Sequence, residues 1–223
     1  ARVSSQTLTS SYLDHPVLPQ LEEALRRRWP FVPEELTVVD GAMDALDRIA
    51  QVVIRLGDRV IVEHPTFPPL LDLLEKIGAD VIGVEVDAQG MNVEALTAAL
   101  EQKPTALFLQ PRAQNPTGIT MTAQRAKHIA DAIVASGHSE SITIIEDDHA
   151  GDIAVGELNS IGNYLPTRTV HIRSYSKSHG PDLRLAAVGG AGDVISAAAN
   201  RRLLGPGWSS RILQAVLLEL LDD

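Results

Sequence analysis

Short apolar runs alternate with helical patterns along the whole chain, and this alternation leaves few folds open. The runs are 36–39, 59–63, 80–86, 105–110, 142–146, 169–173 and 185–189. Most are continuously apolar rather than alternating in polarity, as strands buried on both faces are. The helical patterns are 18–28, 43–56, 69–77, 93–101, 122–135, 193–203 and 208–221. Thr122 stands where an N-cap belongs and Gly137 where a stop belongs. The expected fold is an α/β three-layer sandwich around a mostly parallel seven-stranded sheet. Such sheets bind ligands at the carboxyl ends of their strands. The residues that follow each strand therefore decide the function.

Composition removes several alternatives. The formal net charge is −10, the wrong sign for a segment that grips a phosphate backbone. There is no cysteine, so disulfides, thiolate metal sites and cysteine nucleophiles are excluded. No apolar run reaches about 18 residues, and the first residues carry no signal-peptide pattern. A cytoplasmic protein with no membrane contact is expected. The first residue is not Met, and the helical pattern of 209–223 has no Gly or Pro terminator. Residues 1–223 read as one domain of a longer chain.

The strand ends carry polar clusters. After the first strand comes Asp40-Gly41-Ala42-Met43. A glycine at a strand-to-helix junction admits close approach of a ligand, and free N–H groups there favour an anion. A plain tight turn is the simpler alternative. After the second strand, Phe67 can stack on a flat heterocycle or serve as a core aromatic. After the fourth, the turn Asn115-Pro116-Thr117-Gly118 is rigid enough to aim the Asn115 amide at a ligand oxygen.

The fifth strand ends in Glu146-Asp147-Asp148-His149. Side chains alternate faces along a strand, so the three acids cannot share one metal, and no metal site is expected. An acid-terminated strand also suits a nucleotide hydrolase, but there is no phosphate-binding G-x-x-x-x-G-K-[ST] loop and no G-x-G-x-x-G. After the sixth strand comes Ser174-Tyr175-Ser176-Lys177-Ser178-His179-Gly180, with Arg184 seven positions beyond the lysine. Most loop lysines are solvated surface charges. Small hydroxyl residues and a following arginine fit an amine beside an anion site better.

These motifs, in this order, resemble the fold-type I aminotransferase family, which depends on pyridoxal phosphate (PLP). The resemblance runs through Gly41-Ala42-Met43, Pro65-Thr66-Phe67, Asn115-Pro116-Thr117-Gly118, Glu146-Asp147-Asp148 and Ser174-Tyr175-Ser176-Lys177 with Arg184. It implies the large, PLP-binding domain of that fold. Lys177 would form the Schiff base and move protons, and a desolvated site would keep its amine uncharged. Asp147 would hold the pyridine nitrogen protonated. Gly41, Ala42, Met43, Ser174 and Arg184 would hold the phosphate, Phe67 would stack on the ring, and Asn115 would bond its phenolic oxygen. Tyr12 matches a tyrosine that reaches the neighbouring subunit of a homodimer. His149 stands where relatives carry a tyrosine bonded to the same phenolic oxygen. The substrate-carboxylate arginine of the family belongs to a C-terminal small domain that this chain lacks.

The resemblance leaves two functions, and both take an amino acid or amine. One is a free-standing aminotransferase that exchanges an amino group with a 2-oxo acid. The other is the effector-sensing half of a MocR-type (GntR superfamily) transcription regulator. Its DNA contacts would lie in a domain outside this chain. The wording of 146–152, 177–184 and 204–211 is closer to the regulators. Asn115 is the residue of the true aminotransferases, where many regulators carry an aromatic. A scaffold without chemistry fits poorly with Lys177, Asp147 and Arg184 all present.

Overall fold

The computed structural model describes residues 15–137 and 140–222. Tyr12 lies outside the described residues. The strands are β1 (Glu35–Val39), β2 (Arg59–His64), β3 (Asp80–Asp87), β4 (Gly90–Met91), β5 (Ala106–Leu109), β6 (Thr143–Asp148), β7 (Thr169–Ser174) and β8 (Ala186–Gly190). The helices are α1 (Pro19–Arg27), α2 (Ala42–Val53), α3 (Pro68–Ile77), α4 (Val93–Leu100), α5 (Ala123–Ala135), α6 (Gly192–Arg202) and α7 (Arg211–Asp222).

The strands form one sheet in the order β1-β8-β7-β6-β5-β2-β3-β4. It has eight strands where seven were expected. The extra one, β4, is two residues long and turns back antiparallel on β3, too short to leave a periodic signal. The β2–β3, β2–β5, β5–β6 and β6–β7 pairs are parallel. Only β8 runs against its neighbours β7 and β1 within this main body. That reversal matters for the site. Arg184, two residues before β8, comes to the same sheet edge as the residues just after β1, β2, β5, β6 and β7.

Alternation along each strand builds the layers. On β5, Ala106 and Phe108 pack with α2, α3 and α6 residues such as Leu46, Leu74 and Ile195. Leu107 and Leu109 pack on the other face with α4 and α5 residues such as Leu96 and Ile129. A third cluster joins α1 and α7 to β1 and β8 through Leu21, Leu25, Leu36 and Leu217. Burying one such side chain fully contributes about 1.5–3 kcal/mol.

Local chemistry sets the helix ends. Thr122 and Asn92 cap α5 and α4, accepting from the Arg125 and Ala95 amides at 3.1 and 2.9 Å. Gly78 ends α3 in the left-handed conformation. Helix α7 begins at Arg211, three residues later than its apolar pattern. The Arg211 guanidinium instead lies 4.7 Å over the Trp208 ring, outside the helix.

The chain enters the site from β1 through a buried cation. Arg202 is 2% exposed. Its guanidinium donates to the Val38 carbonyl, the Asp40 carboxylate and Ser209 Oγ at 2.8–3.1 Å. This ties the end of β1 to the loop before α7. Asp44 accepts from the Asp40 amide and pairs with Arg48, closing the first turn of α2.

Candidate active site

The carboxyl ends of the parallel strands surround a cavity of about 170 Å³. A cavity of roughly 150 Å³ holds one benzene ring, so the space suits a single six-membered heterocycle. Gly41, Ala42, Met43, Phe67, Asn115, Asp147, His149, Ser174, Lys177 and Arg184 all line it. The structure thus brings every described residue given a catalytic or cofactor-binding role in the sequence to one place. Leu46, Gln110 and Ser176 line it as well, and sequence reasoning missed all three.

Strand order separates the cavity into two chemical ends. At the β1–β8–β7 side stand Gly41, Ser174 and Arg184. Gly41 has φ +109°, and a Cβ there would sit 3.5 Å from the Arg184 guanidinium. The backbone angle calls for glycine, while a Cβ would only touch the guanidinium at ordinary contact distance. The first N–H groups of α2, beginning at Ala42, have no acceptor within the helix. With the arginine they gather N–H donors and positive charge at this end, the features an anion needs.

At the β6–β5 side stand Asp147, His149, Gln110 and Asn115. Asp147 shares the sheet face of Ile145, which packs toward α2. Its Oδ2 accepts from Gln110 Nε2 at 2.9 Å. Its Oδ1 is buried without a partner. Burial pushes the Asp147 carboxyl above the usual carboxylate range, while Gln110, His149 and Lys177 pull the other way. A buried acceptor left open in a cavity costs free energy unless a ligand donor meets it. A protonated ring nitrogen is such a donor. The cavity's two ends therefore fit a flat cation carrying an anionic tail.

Gln110 organises this end. Its Nε2 donates to Asp147, and its Oε1 accepts from the Asn115 amide at 2.7 Å. One side chain thus ties the acid of β6 to the turn that carries Asn115. The strand register, which only the structure supplies, explains the contact. Leu109 pairs with Glu146, so the next residues, Gln110 and Asp147, are neighbours. The Gln110 backbone amide donates to Glu63 Oε2 at 3.0 Å. Glu63 is 3% exposed. Its carboxyl is pushed up to about 8, first by burial and to a lesser degree by the Asp147 charge.

Lys177 departs from expectation. The sequence reading placed its amine in a desolvated site, but the residue is exposed. The loop after β7 carries it along the rim of the sheet. Its side chain reaches across the cavity mouth to hydrogen-bond His149 Nδ1. On the far side, His149 Nε2 lies 2.9 Å from the Ala113 carbonyl.

The remaining acids of β6 turn away, as alternation requires. Glu146 accepts from Ser160 Oγ at 2.7 Å and the Ile161 amide at 2.6 Å, and its Oε2 lies 2.9 Å from His171 Nδ1. Asp148 receives a bidentate pair from Arg112 at 2.7 and 2.8 Å. Among the described residues no cluster of three or more His, Cys, Asp or Glu side chains could hold a metal ion. None of their helices is long and apolar enough to cross a membrane.

The layered sheet with its cavity at the switch from β8 to the parallel strands defines the fold of the PLP-dependent aminotransferases. The chain belongs to the aminotransferase class I and II family, whose pattern it matches over residues 1–223. It is 35% identical, over 95% of its own length, to the vitamin B6 salvage pathway transcriptional repressor PtsJ of Salmonella typhimurium, and spans 49% of that protein. It is 30% identical, over 88% of its length, to the aminotransferase swnA of Metarhizium robertsii, and spans 42% of it. The chain spans about half the length of the first relatives it matches. Its fold matches that of the kynurenine aminotransferase of Pyrococcus horikoshii with a TM-score of 0.85. That match has 23% identity and covers 98% of this chain and 57% of the other.

Proposed function

We propose that this chain is most of the PLP-binding domain of a MocR-type transcription regulator, in which bound PLP senses an amino acid or amine. The observation that carries the reading is the open Oδ1 of Asp147 in a cavity whose opposite end is built for an anion. PLP, when bound, supplies an electron-accepting ring that makes the α-hydrogen of an amino acid acidic. This chain's residues do the rest. Arg184, Ser174 and the start of α2 hold the phosphate. Asp147 keeps the ring nitrogen protonated, and Gln110 keeps Asp147 aimed. Phe67 covers one ring face, and Asn115 donates to the phenolic oxygen. Lys177 would hold PLP covalently through its amine and would move a proton at the substrate α-carbon.

The likeness to PtsJ, a transcriptional repressor, supports the regulator reading. In it, DNA is contacted through a domain beyond this chain, residues 1–223 form the large domain, and two copies pair as a homodimer. The second reading is an aminotransferase that exchanges amino groups between an amino acid and a 2-oxo acid. Asn115 and the match to swnA favour it.

Lys177→Ala in the full-length protein is the direct test. Loss of the visible absorbance of lysine-bound PLP is expected. An unchanged spectrum sinks the assignment. Amino compounds that alter DNA affinity without net conversion to 2-oxo acids support the regulator, and steady turnover supports the enzyme.

A further inference from the structure

We propose that His149 is the base that takes the proton of the Lys177 ammonium, and that it donates into the cavity only as the resulting imidazolium. This deepens the PLP-binding reading and rests on it.

The tautomer follows from the contacts. Nε2 of His149 lies 2.9 Å from the Ala113 carbonyl oxygen. A carbonyl only accepts, so Nε2 carries the hydrogen. In the neutral ring Nδ1 then has a lone pair and no hydrogen. Lys177 Nζ lies in hydrogen-bonding contact with that nitrogen. An ammonium only donates, so the pair is matched: Lys177 gives and Nδ1 receives.

The turn holding the ring is built for this. Ala113 takes a left-handed backbone conformation, with φ +48°, which residues other than glycine rarely adopt. Its own amide lies 3.3 Å from Thr120 Oγ1. The charged groups facing His149 are Lys177, from the loop after β7, and Asp147, from β6. Arg112, next to Ala113, is turned to Asp148 on the other side of the sheet. Arg184 stands at the opposite end of the cavity.

The step moves one proton. It leaves Lys177 Nζ for His149 Nδ1, so the amine gains a lone pair and the ring a positive charge. No other bond changes, and the total charge stays the same beside the Asp147 carboxylate. The neutral amine can then add to an aldehyde carbon with loss of water. A tyrosine at this position would donate its O–H while neutral. His149 cannot, because donation through Nδ1 needs the charged ring. This arrangement also answers the exposure of Lys177. A specific neighbour, rather than desolvation, removes the proton.

Two measurements on the full-length protein test this. In the first, cofactor-free protein is mixed with PLP, and covalent attachment is followed by visible absorbance over a series of pH values. His149→Gln keeps a hydrogen-bonding side chain but cannot take a proton. Its attachment rate near neutral pH should fall by about 100-fold, the lower end of what a positioned base contributes, and its pH dependence should flatten. The second uses no cofactor. Nitrogen-15 spectra of the histidine rings, assigned by difference from the variant, should show hydrogen on Nε2 of His149 and none on Nδ1 in the neutral ring. An unchanged rate and pH profile in the variant, or hydrogen on Nδ1, overturns the inference. Failure of the PLP reading shows separately, in Lys177→Ala.

Discussion

The two faces of β6 carry the same chemistry and opposite fates. Glu146 and Asp148 point to one face, are wholly buried and are held by named partners. Asp147, between them, points to the other face and leaves one carboxylate oxygen open to a cavity. Three acids in a row thus divide by parity into two that are fully paired and one that is not. Satisfied buried charges lock the sheet to its neighbours. An unsatisfied one is tolerated where something else completes it.

That contrast should appear first in stability. Arg112 and Asp148 form a bidentate pair with side chains 9% and 0% exposed. Removing one member leaves the other buried and unpaired. Arg112→Ala should therefore destabilise by about 3–5 kcal/mol in urea unfolding. A loss below about 1 kcal/mol would mean that water replaces the guanidinium and the face is not closed.

A smaller effect should appear with pH. Glu63 lies beneath the open face, with a carboxyl pushed up to about 8 from an ordinary 4.5. A raised folded value means stability is complete below the ordinary value and is lost as pH climbs toward 8. At pH 7 the loss is on the order of 3 kcal/mol. Asp148 has the opposite sign. Although burial alone would raise it, Arg112, His171 and Arg173 hold its carboxyl below the ordinary value. Its contribution is present above that value and fades in acid. Glu63→Gln should flatten the neutral-range slope and leave the acid limb intact. A slope that persists in this variant assigns it to another group.

The smallest stability effect belongs to the open face itself. Asp147→Asn keeps an oxygen for Gln110 Nε2 and removes a desolvated charge. Its unfolding free energy should stay within about 1 kcal/mol of the unmutated value. Hydrogen exchange at the substrate α-carbon should cease in the PLP-loaded protein. Exchange at the normal rate would remove Asp147 from the role proposed for it.

Much of this was legible before any coordinates. The continuous apolar runs of β2, β5, β6 and β7 identified buried strands, because only a strand covered on both sides is apolar at every position. The rule that ligands sit at strand carboxyl ends then picked out the residues after each run. Gln110 escaped because a glutamine closing an apolar run looks like an ordinary strand boundary. Its partners, Asp147 and Glu63, lie 37 and 47 residues away. The exposure of Lys177 escaped because its small neighbours suggested enclosure, while the path of the loop puts the amine across a cavity mouth. The role proposed for His149 could not be read either, since it turns on one carbonyl, Ala113, at a residue with an unusual backbone angle.

Taken alone, the order of residues settled what is periodic or local: which stretches are strands and helices, which strands are buried, and which side of β6 each acid must face. Those follow from repeat lengths and from short-range backbone geometry. Only the folded chain settled what depends on pairing between distant strands. The reversal of β8 brings Arg184 to the common edge, and the β5–β6 register sets Gln110 against Asp147. Pairing of this kind is decided by the burial of whole layers, and no single segment encodes it.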